Sequence, residues 1–87
     1  MGFEYDPEKS KLNKNKHGLD FEEAQALWGD VNRLEIKAKT VDEERFAVIG
    51  RIGEQCWTGT ITYRNETIRI ISVRRARKEE VNLYESS

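Results

Sequence analysis

The sequence predicts an α+β domain: a small antiparallel sheet of about four strands, a meander, packed by two N-terminal helices and a short C-terminal helix. Three observations predict it. Trp57 to Arg77 reads as two runs of β-branched and aromatic residues around a tight turn at Asn65-Glu66. Leu34–Ala38 and Arg45–Ile52 supply two further runs ahead of it. Helix-start signals at Asp6-Pro7 and at Asp20 precede these four runs.

Taken in order, Phe3-Glu4-Tyr5 is a short extended start. Asp6 is placed to cap a helix with Pro7 at its first position, where the missing N–H needs no partner. That helix is expected to run to about Lys16 or His17 and to end on a left-handed Gly18. It carries Lys9, Lys11, Lys14 and Lys16, with Leu12 almost its only apolar anchor. Such lysines serve solubility or, alternatively, phosphate contact. A second helix is expected from Asp20, where Asp20 and Glu23 form a capping-box pattern. Phe21, Ala24, Leu27 and Trp28 make its core stripe and Gly29 stops it. Val41–Glu44 is a polar connection between the first two sheet strands, and Gly53-Glu54 a tight turn after the second. Lys78–Glu85 is a short helix with Val81 and Tyr84 one turn apart.

With a two-residue loop, Arg64 faces Thr67, Tyr63 faces Ile68, Thr62 faces Arg69, Ile61 faces Ile70, and Trp57 faces Arg74. Alternation then sorts the hairpin into two faces. Trp57, Ile61, Tyr63, Ile68 and Ile70 form a core face, joined by Phe46, Val48 and Ile52. Thr58, Thr60, Thr62, Arg64, Thr67, Arg69, Ile71 and Val73 form the other, joined by Arg45, Ala47, Ile49 and Arg51. The second face is a threonine floor with arginines standing on it. It is either a solvated sheet face or a place where guanidinium groups fork onto phosphate oxygens. Arg45, Thr62 and Arg69 fall in one row, and cations that close repel unless an anion or carboxylates answer them. By this register Arg74 lies on the core side, and a bulge is needed for it to reach the arginines.

At 87 residues the chain is read as one small domain, 1–87. With 36% charged and 37% hydrophobic residues it is a folded, soluble composition. No apolar run suits a membrane span, and Met1-Gly2-Phe3-Glu4 has no signal-peptide pattern. The single Cys56 excludes an internal disulfide framework and suits a reducing cytoplasm. A net charge of −1 hides an asymmetry: acids dominate Asp20–Glu44, and arginines dominate Arg45–Lys78.

No phosphate-cradling glycine loop, nucleophile elbow or His-Glu-x-x-His is present. Arginines, lysines, one histidine and a few acids remain, with no cofactor or metal expected. That set suits metal-free RNA cleavage, in which the substrate's 2′-hydroxyl is the nucleophile. The protein then has to orient it, move protons and stabilise charge on the phosphoryl oxygens.

Phe3-Glu4-Tyr5-Asp6, Asn13-Lys14-Asn15-Lys16-His17-Gly18-Leu19-Asp20-Phe21-Glu22-Glu23-Ala24, Glu43-Glu44-Arg45, Ile49-Gly50 and Arg69-Ile70-Ile71-Ser72-Val73-Arg74 together resemble the BrnT toxins, over nearly the whole chain. The resemblance implies a RelE-like fold and a ribonuclease toxin of a bacterial type II toxin–antitoxin module, acting in the cytoplasm. The implied partner is a BrnA-like ribbon–helix–helix antitoxin, with operator DNA bound only through that antitoxin. Lys16 and His17 match the family's Lys-His-Gly segment. Lys16 is a candidate for phosphate binding or proton transfer. His17 is a candidate general acid or a group that hydrogen-bonds a helix-end carbonyl. Glu44 is the candidate general base or else an arginine's salt-bridge partner. Arg64, Arg69 and Arg74 are the candidates for stabilising the phosphoryl transition state. Val73-Arg74-Arg75-Ala76-Arg77 is more basic than the family's usual form, which leaves the role of each arginine open. The alternative is a non-catalytic RNA- or partner-binding module, or an inactive toxin that only pairs with its antitoxin.

Overall fold

Asp6 and Gly18 bracket the first helix as their positions predict. In the computed structural model, which describes residues 2–39 and 42–87, helix α1 spans Pro7–His17. The Asp6 carboxylate accepts from the Glu8 N–H at 2.9 Å, and Gly18 adopts φ 85° while its N–H bonds the Lys14 carbonyl at 2.9 Å. The expected apolar anchor is corrected: Leu12 is 65% exposed, whereas Ser10 and Asn13 are buried. Ser10 Oγ accepts from the Phe21 N–H at 2.9 Å. Asn13 Nδ2 donates to the carbonyls of Leu19 (2.7 Å) and Val73 (2.8 Å), and its Oδ1 accepts from the Val73 N–H at 3.2 Å. A helix with few apolar residues is thus held by hydrogen bonds that satisfy buried backbone.

The second helix is also corrected. Asp20 and Glu23 do form the reciprocal cap, with Glu23 N–H to Asp20 Oδ1 at 2.7 Å and Asp20 N–H to Glu23 Oε1 at 3.0 Å. Phe21 and Glu22 are a turn, however, and Glu23–Gly29 is a 3-10 helix. The core residues Phe21, Ala24 and Leu27 recur every third position, and three residues per turn is the period that stacks them. Gly50 lets this helix lie on the sheet, since a Cβ there would meet Leu27 Cδ2 at 3.0 Å. Trp28 packs edge-on to Phe3, centroids 5.0 Å apart.

The sheet has five strands: β1 Gly2–Glu4, β2 Leu34–Ala38, β3 Arg45–Ile52, β4 Gln55–Arg64 and β5 Thr67–Arg75, in the order β1-β5-β4-β3-β2. The expected meander of about four antiparallel strands, and the RelE-like architecture written with it, is therefore corrected to a five-stranded mixed sheet. β2 to β5 are antiparallel neighbours, but β1 joins β5 in parallel, Phe3 beside Ile68 and Glu4 beside Arg69. Three residues carry too short a pattern to announce a strand whose partner lies at the far end of the chain. The polar connection expected at Val41–Glu44 begins at Val41, outside the described residues.

The turn at Asn65-Glu66 has Asn65 at φ 58°, a left-handed conformation that asparagine tolerates. Register from Arg64–Thr67 to Ile61–Ile70 follows the prediction. Beyond it the pairing slips: Thr60 meets Ser72, Thr58 meets Arg74, and Trp57 meets Arg75 rather than Arg74. Ile71 is the extra residue of a β-bulge, which inverts the facing of everything after it. Val73, expected with the arginines, is consequently buried in the core at 1% exposure.

Leu19, Phe21, Ala24, Leu27, Val48, Trp57, Ile61, Ile68, Ile70 and Val73 form the core beneath α1 and the 3-10 helix. Helix α2, Lys78–Ser86, crosses the opposite face over β3, where Ile49 and Thr58 are buried. It is fastened at both ends. Glu80 bonds Thr58 Oγ at 3.0 Å, and the Tyr84 hydroxyl donates to Asp30 Oδ2 at 2.6 Å. Among the described residues no helix is long and apolar enough to cross a membrane.

Candidate functional site: an arginine-bearing sheet face

The bulge supplies what Arg74 lacks in an unbroken register. Opposite Thr58, Arg74 projects from the face that also carries Arg64, opposite Thr67, and Arg69, opposite Thr62. Arg64, Arg69 and Arg74 therefore share one face of two neighbouring strands. Arg45, one residue before the Phe46–Ile61 pair, extends the Thr62–Arg69 row onto β3. The expected threonine floor is present, but part of it is closed over: Thr58 and Thr62 are 2% and 3% exposed. Thr62 Oγ donates to the Glu44 carbonyl at 2.7 Å, which ties the segment before β3 to the floor.

Every candidate arginine meets an acid. Arg69 Nη1 lies 3.1 Å from Glu4 Oε2, its neighbour across the parallel pair. Arg64 Nη2 lies 3.8 Å from Glu43 Oε2, and Arg45 Nη2 lies 3.9 Å from the other oxygen of the same carboxylate. Arg74 forks onto Glu80 at 2.8 and 2.9 Å. The Arg77 N–H adds a bond to Glu80 at 2.8 Å. Against the cost of burial, the Arg74 fork above all holds the Glu80 carboxyl down to about 2, and the same contact raises the Arg74 pKa. Like charges on the floor are thus answered internally, most tightly at Arg74 and most loosely at Arg64 and Arg45, which share Glu43.

The remaining candidates stand apart from this group. The Glu44 carboxylate is 2.6 Å from Lys37 Nζ, whose hydrogen bond and charge lower its pKa. Lys37 pairs with Phe46 and so belongs to the core side of the sheet, opposite the arginines. Lys16 and His17 follow Asn13 by three and four residues and share its side of α1. Along the helix axis they lie about one turn, ~5.4 Å, beyond Asn13. Among the described residues no hydrogen bond or ion pair joins them to the arginines.

The three arginines of the basic tail separate cleanly. Arg74 stands with the site. Arg75 turns to the other side, where its guanidinium lies 5.6 Å from the Trp57 ring centroid and bonds Gln55. Arg77 precedes α2 and gives its N–H to Glu80. Tyr63, placed on the core side by the register, packs on Phe46 and donates to Glu35 at 2.7 Å. Burial first, and then that bond, push its phenol up to about 12. Sequence reasoning counted the acids but missed that Glu4, Glu43 and Glu80 close on the arginines. For Glu80 a signal existed, since an acid three residues after a helix cap bonds the cap N–H.

Fold and site define a small α+β domain whose single mixed sheet turns one arginine-bearing, threonine-floored face away from its core. A family model described as "Ribonuclease toxin, BrnT, of type II toxin-antitoxin system" matches residues 5–80, and the chain belongs to that family. No curated protein matches the chain as a relative. Membership makes it a ribonuclease toxin of a type II toxin–antitoxin system, with an antitoxin as partner. The match ends at Glu80, so it includes the carboxylate that holds Arg74 and leaves out most of α2.

Proposed function

We propose that RNA is cut on the arginine-bearing face, without metal, by attack of its own 2′-hydroxyl on the adjacent phosphorus. The new 2′-O–P bond displaces the 5′-oxygen, leaving a 2′,3′-cyclic phosphate and a 5′-hydroxyl. One proton leaves the 2′-hydroxyl and one reaches the departing oxygen. The observation that carries this reading is the bulge at Ile71, which turns Arg74 onto the face of Arg64 and Arg69. Three guanidinium groups on a rigid sheet suit the dispersed charge of a phosphoryl transition state. Substrate phosphate takes the place of the carboxylates that now meet them, first at Arg64, where the carboxylate is furthest off. Glu44 serves as base once it leaves Lys37, and Lys16 or His17 serves the second proton transfer from the β5 edge. The antitoxin is a BrnA-like ribbon–helix–helix protein that carries the pair to operator DNA, and the toxin works in the cytoplasm.

The test is incubation of the chain, made by cell-free synthesis, with RNA in excess EDTA. Cleavage leaving cyclic phosphate ends is expected. Intact RNA in the presence of folded protein, or cleavage that needs added metal, overturns it. One observation favours a second reading, an RNA binder that does not cut: all three arginines and Glu44 are ion-paired as they stand. A retarded but intact RNA band selects that reading.

A further inference from the structure

The two edges of the sheet are treated differently. On one side β1 covers β5 from Thr67 to Arg69, and further along the Asn13 side chain takes both backbone groups of Val73. On the other side β2 ends the sheet. Among the described residues nothing bonds to its outer edge. β2 has no proline, no bulge and no covering helix, and Glu35, Ile36 and Lys37 are all exposed. An open edge of this kind is a template for another strand.

The sequence of β2, Leu34-Glu35-Ile36-Lys37-Ala38, is complementary to itself in one orientation only. In an antiparallel pair centred on Ile36, Glu35 of each copy lies opposite Lys37 of the other. Ile36 meets Ile36, and Leu34 meets Ala38. Directly opposed side chains in such a pair have Cβ atoms about 4.5–5.5 Å apart, within ion-pair reach. A parallel in-register pair would set Glu35 against Glu35 and Lys37 against Lys37, which repel. A lone lysine normally guards an edge strand against pairing. Here Glu35, two residues away on the same face, cancels that guard for this partner and orientation. Glu35 is already oriented, because Tyr63 holds Oε1 at 2.7 Å and leaves Oε2 free for a second donor. Lys37 has three N–H groups, and Glu44 takes one direction.

We propose that a second copy of this chain docks on β2, giving a two-fold dimer with one continuous ten-stranded sheet. The contact is isologous, so the Glu35–Lys37 and Leu34–Ala38 pairs each occur twice, on either side of one Ile36–Ile36 pair at the axis. Opposed residues in an antiparallel pair project to the same side, so the arginine-bearing faces of both copies look the same way. A single RNA strand can then lie across both.

Sedimentation of the cell-free-made chain, up to about 1 mM, tests the proposal. The wild type is expected at twice 10.2 kDa. Lys37→Glu is expected to be monomeric, since acids then oppose acids, with far-UV circular dichroism verifying that it is folded. Glu35→Lys combined with Lys37→Glu restores opposed charges with reversed sense and is expected to dimerise again. A wild type that stays monomeric, a folded Lys37→Glu dimer, or a double variant that stays monomeric overturns the proposal. So does protection of the β2 amides from hydrogen exchange only when the antitoxin is added, which assigns the edge to the antitoxin.

Discussion

Arg74 and Glu80 meet through two parallel hydrogen bonds, Nη1 to Oε1 at 2.8 Å and Nη2 to Oε2 at 2.9 Å, across the corner between β5 and α2. The pair has two roles in the fold. It fastens α2 to the sheet, and it occupies the arginine that the bulge delivers to the candidate site.

The first prediction concerns acid. Glu80 is held at about 2 against an ordinary 4.5. A depressed carboxylate contributes stability that is fully present above 4.5 and is lost as pH falls toward 2, because the unfolded chain takes up the proton first. Urea unfolding of wild type and Glu80→Gln is expected to differ by about 2 kcal/mol at pH 6, after allowance for partial exposure. The difference should shrink steadily below pH 4.5. A constant difference would mean that the carboxylate's charge is not what fastens α2.

A second prediction separates the neighbouring arginines. Arg74→Ala and Arg64→Ala are expected to slow RNA cleavage by about 10²–10³, the usual loss when one charge-stabilising donor is removed. Arg75→Ala is expected to leave cleavage intact and to lower stability by about 0.5–1 kcal/mol, the value of a cation–π contact. Single-turnover rates on a short RNA, read beside urea midpoints, distinguish the two behaviours.

Asn13 gives the third. Asn13→Ala strands the Val73 N–H and carbonyl and the Leu19 carbonyl in a buried setting. A loss of about 2–4 kcal/mol is expected. Leu12→Ala, on the same helix and exposed, is expected to change stability by less than about 0.5 kcal/mol. Larger harm from Leu12→Ala would mean that α1 is anchored by apolar contact after all.

The fourth tests the bulge. Deleting Ile71 restores an unbroken register, which turns Val73 outward and drives Arg74 toward the core. The deleted chain is expected to lose more than about 4 kcal/mol and to show no cooperative thermal transition by circular dichroism. A folded deletion variant would show that the register beyond Thr60 is not fixed by this residue.

The hairpin from Ile61 to Ile70 was legible because its turn and alternation are local. The same holds for Asp6, Gly18 and the Asp20–Glu23 cap, where neighbours in sequence satisfy each other. The bulge was not legible: Ile70-Ile71-Ser72-Val73 alternates poorly, and only the demand to bury Val73 and satisfy its backbone through Asn13 decides the parity. The extended start at Phe3-Glu4-Tyr5 was legible, but its place in the sheet was not, because its partner is far away in sequence. The period of three in Phe21, Ala24 and Leu27 fits α and 3-10 geometry alike, and close approach to Gly50 belongs to tertiary packing. For the candidate site, the sharing of one face by Arg64 and Arg69 followed from the turn. The contact of Glu4 depends on the parallel pairing of β1, and those of Glu43, Glu44 and Glu80 on where a loop and a helix end come to rest, which charge counts do not reveal.

The parallel pairing of β1 with β5 sets a timetable for synthesis. A ribosome makes Arg69 65 residues after Glu4, so the first strand emerges without a neighbour and waits through most of translation. Contacts between sequence-distant segments form late and slowly. The edge that carries Arg69 and receives Asn13 is completed only when nearly the whole polypeptide is out.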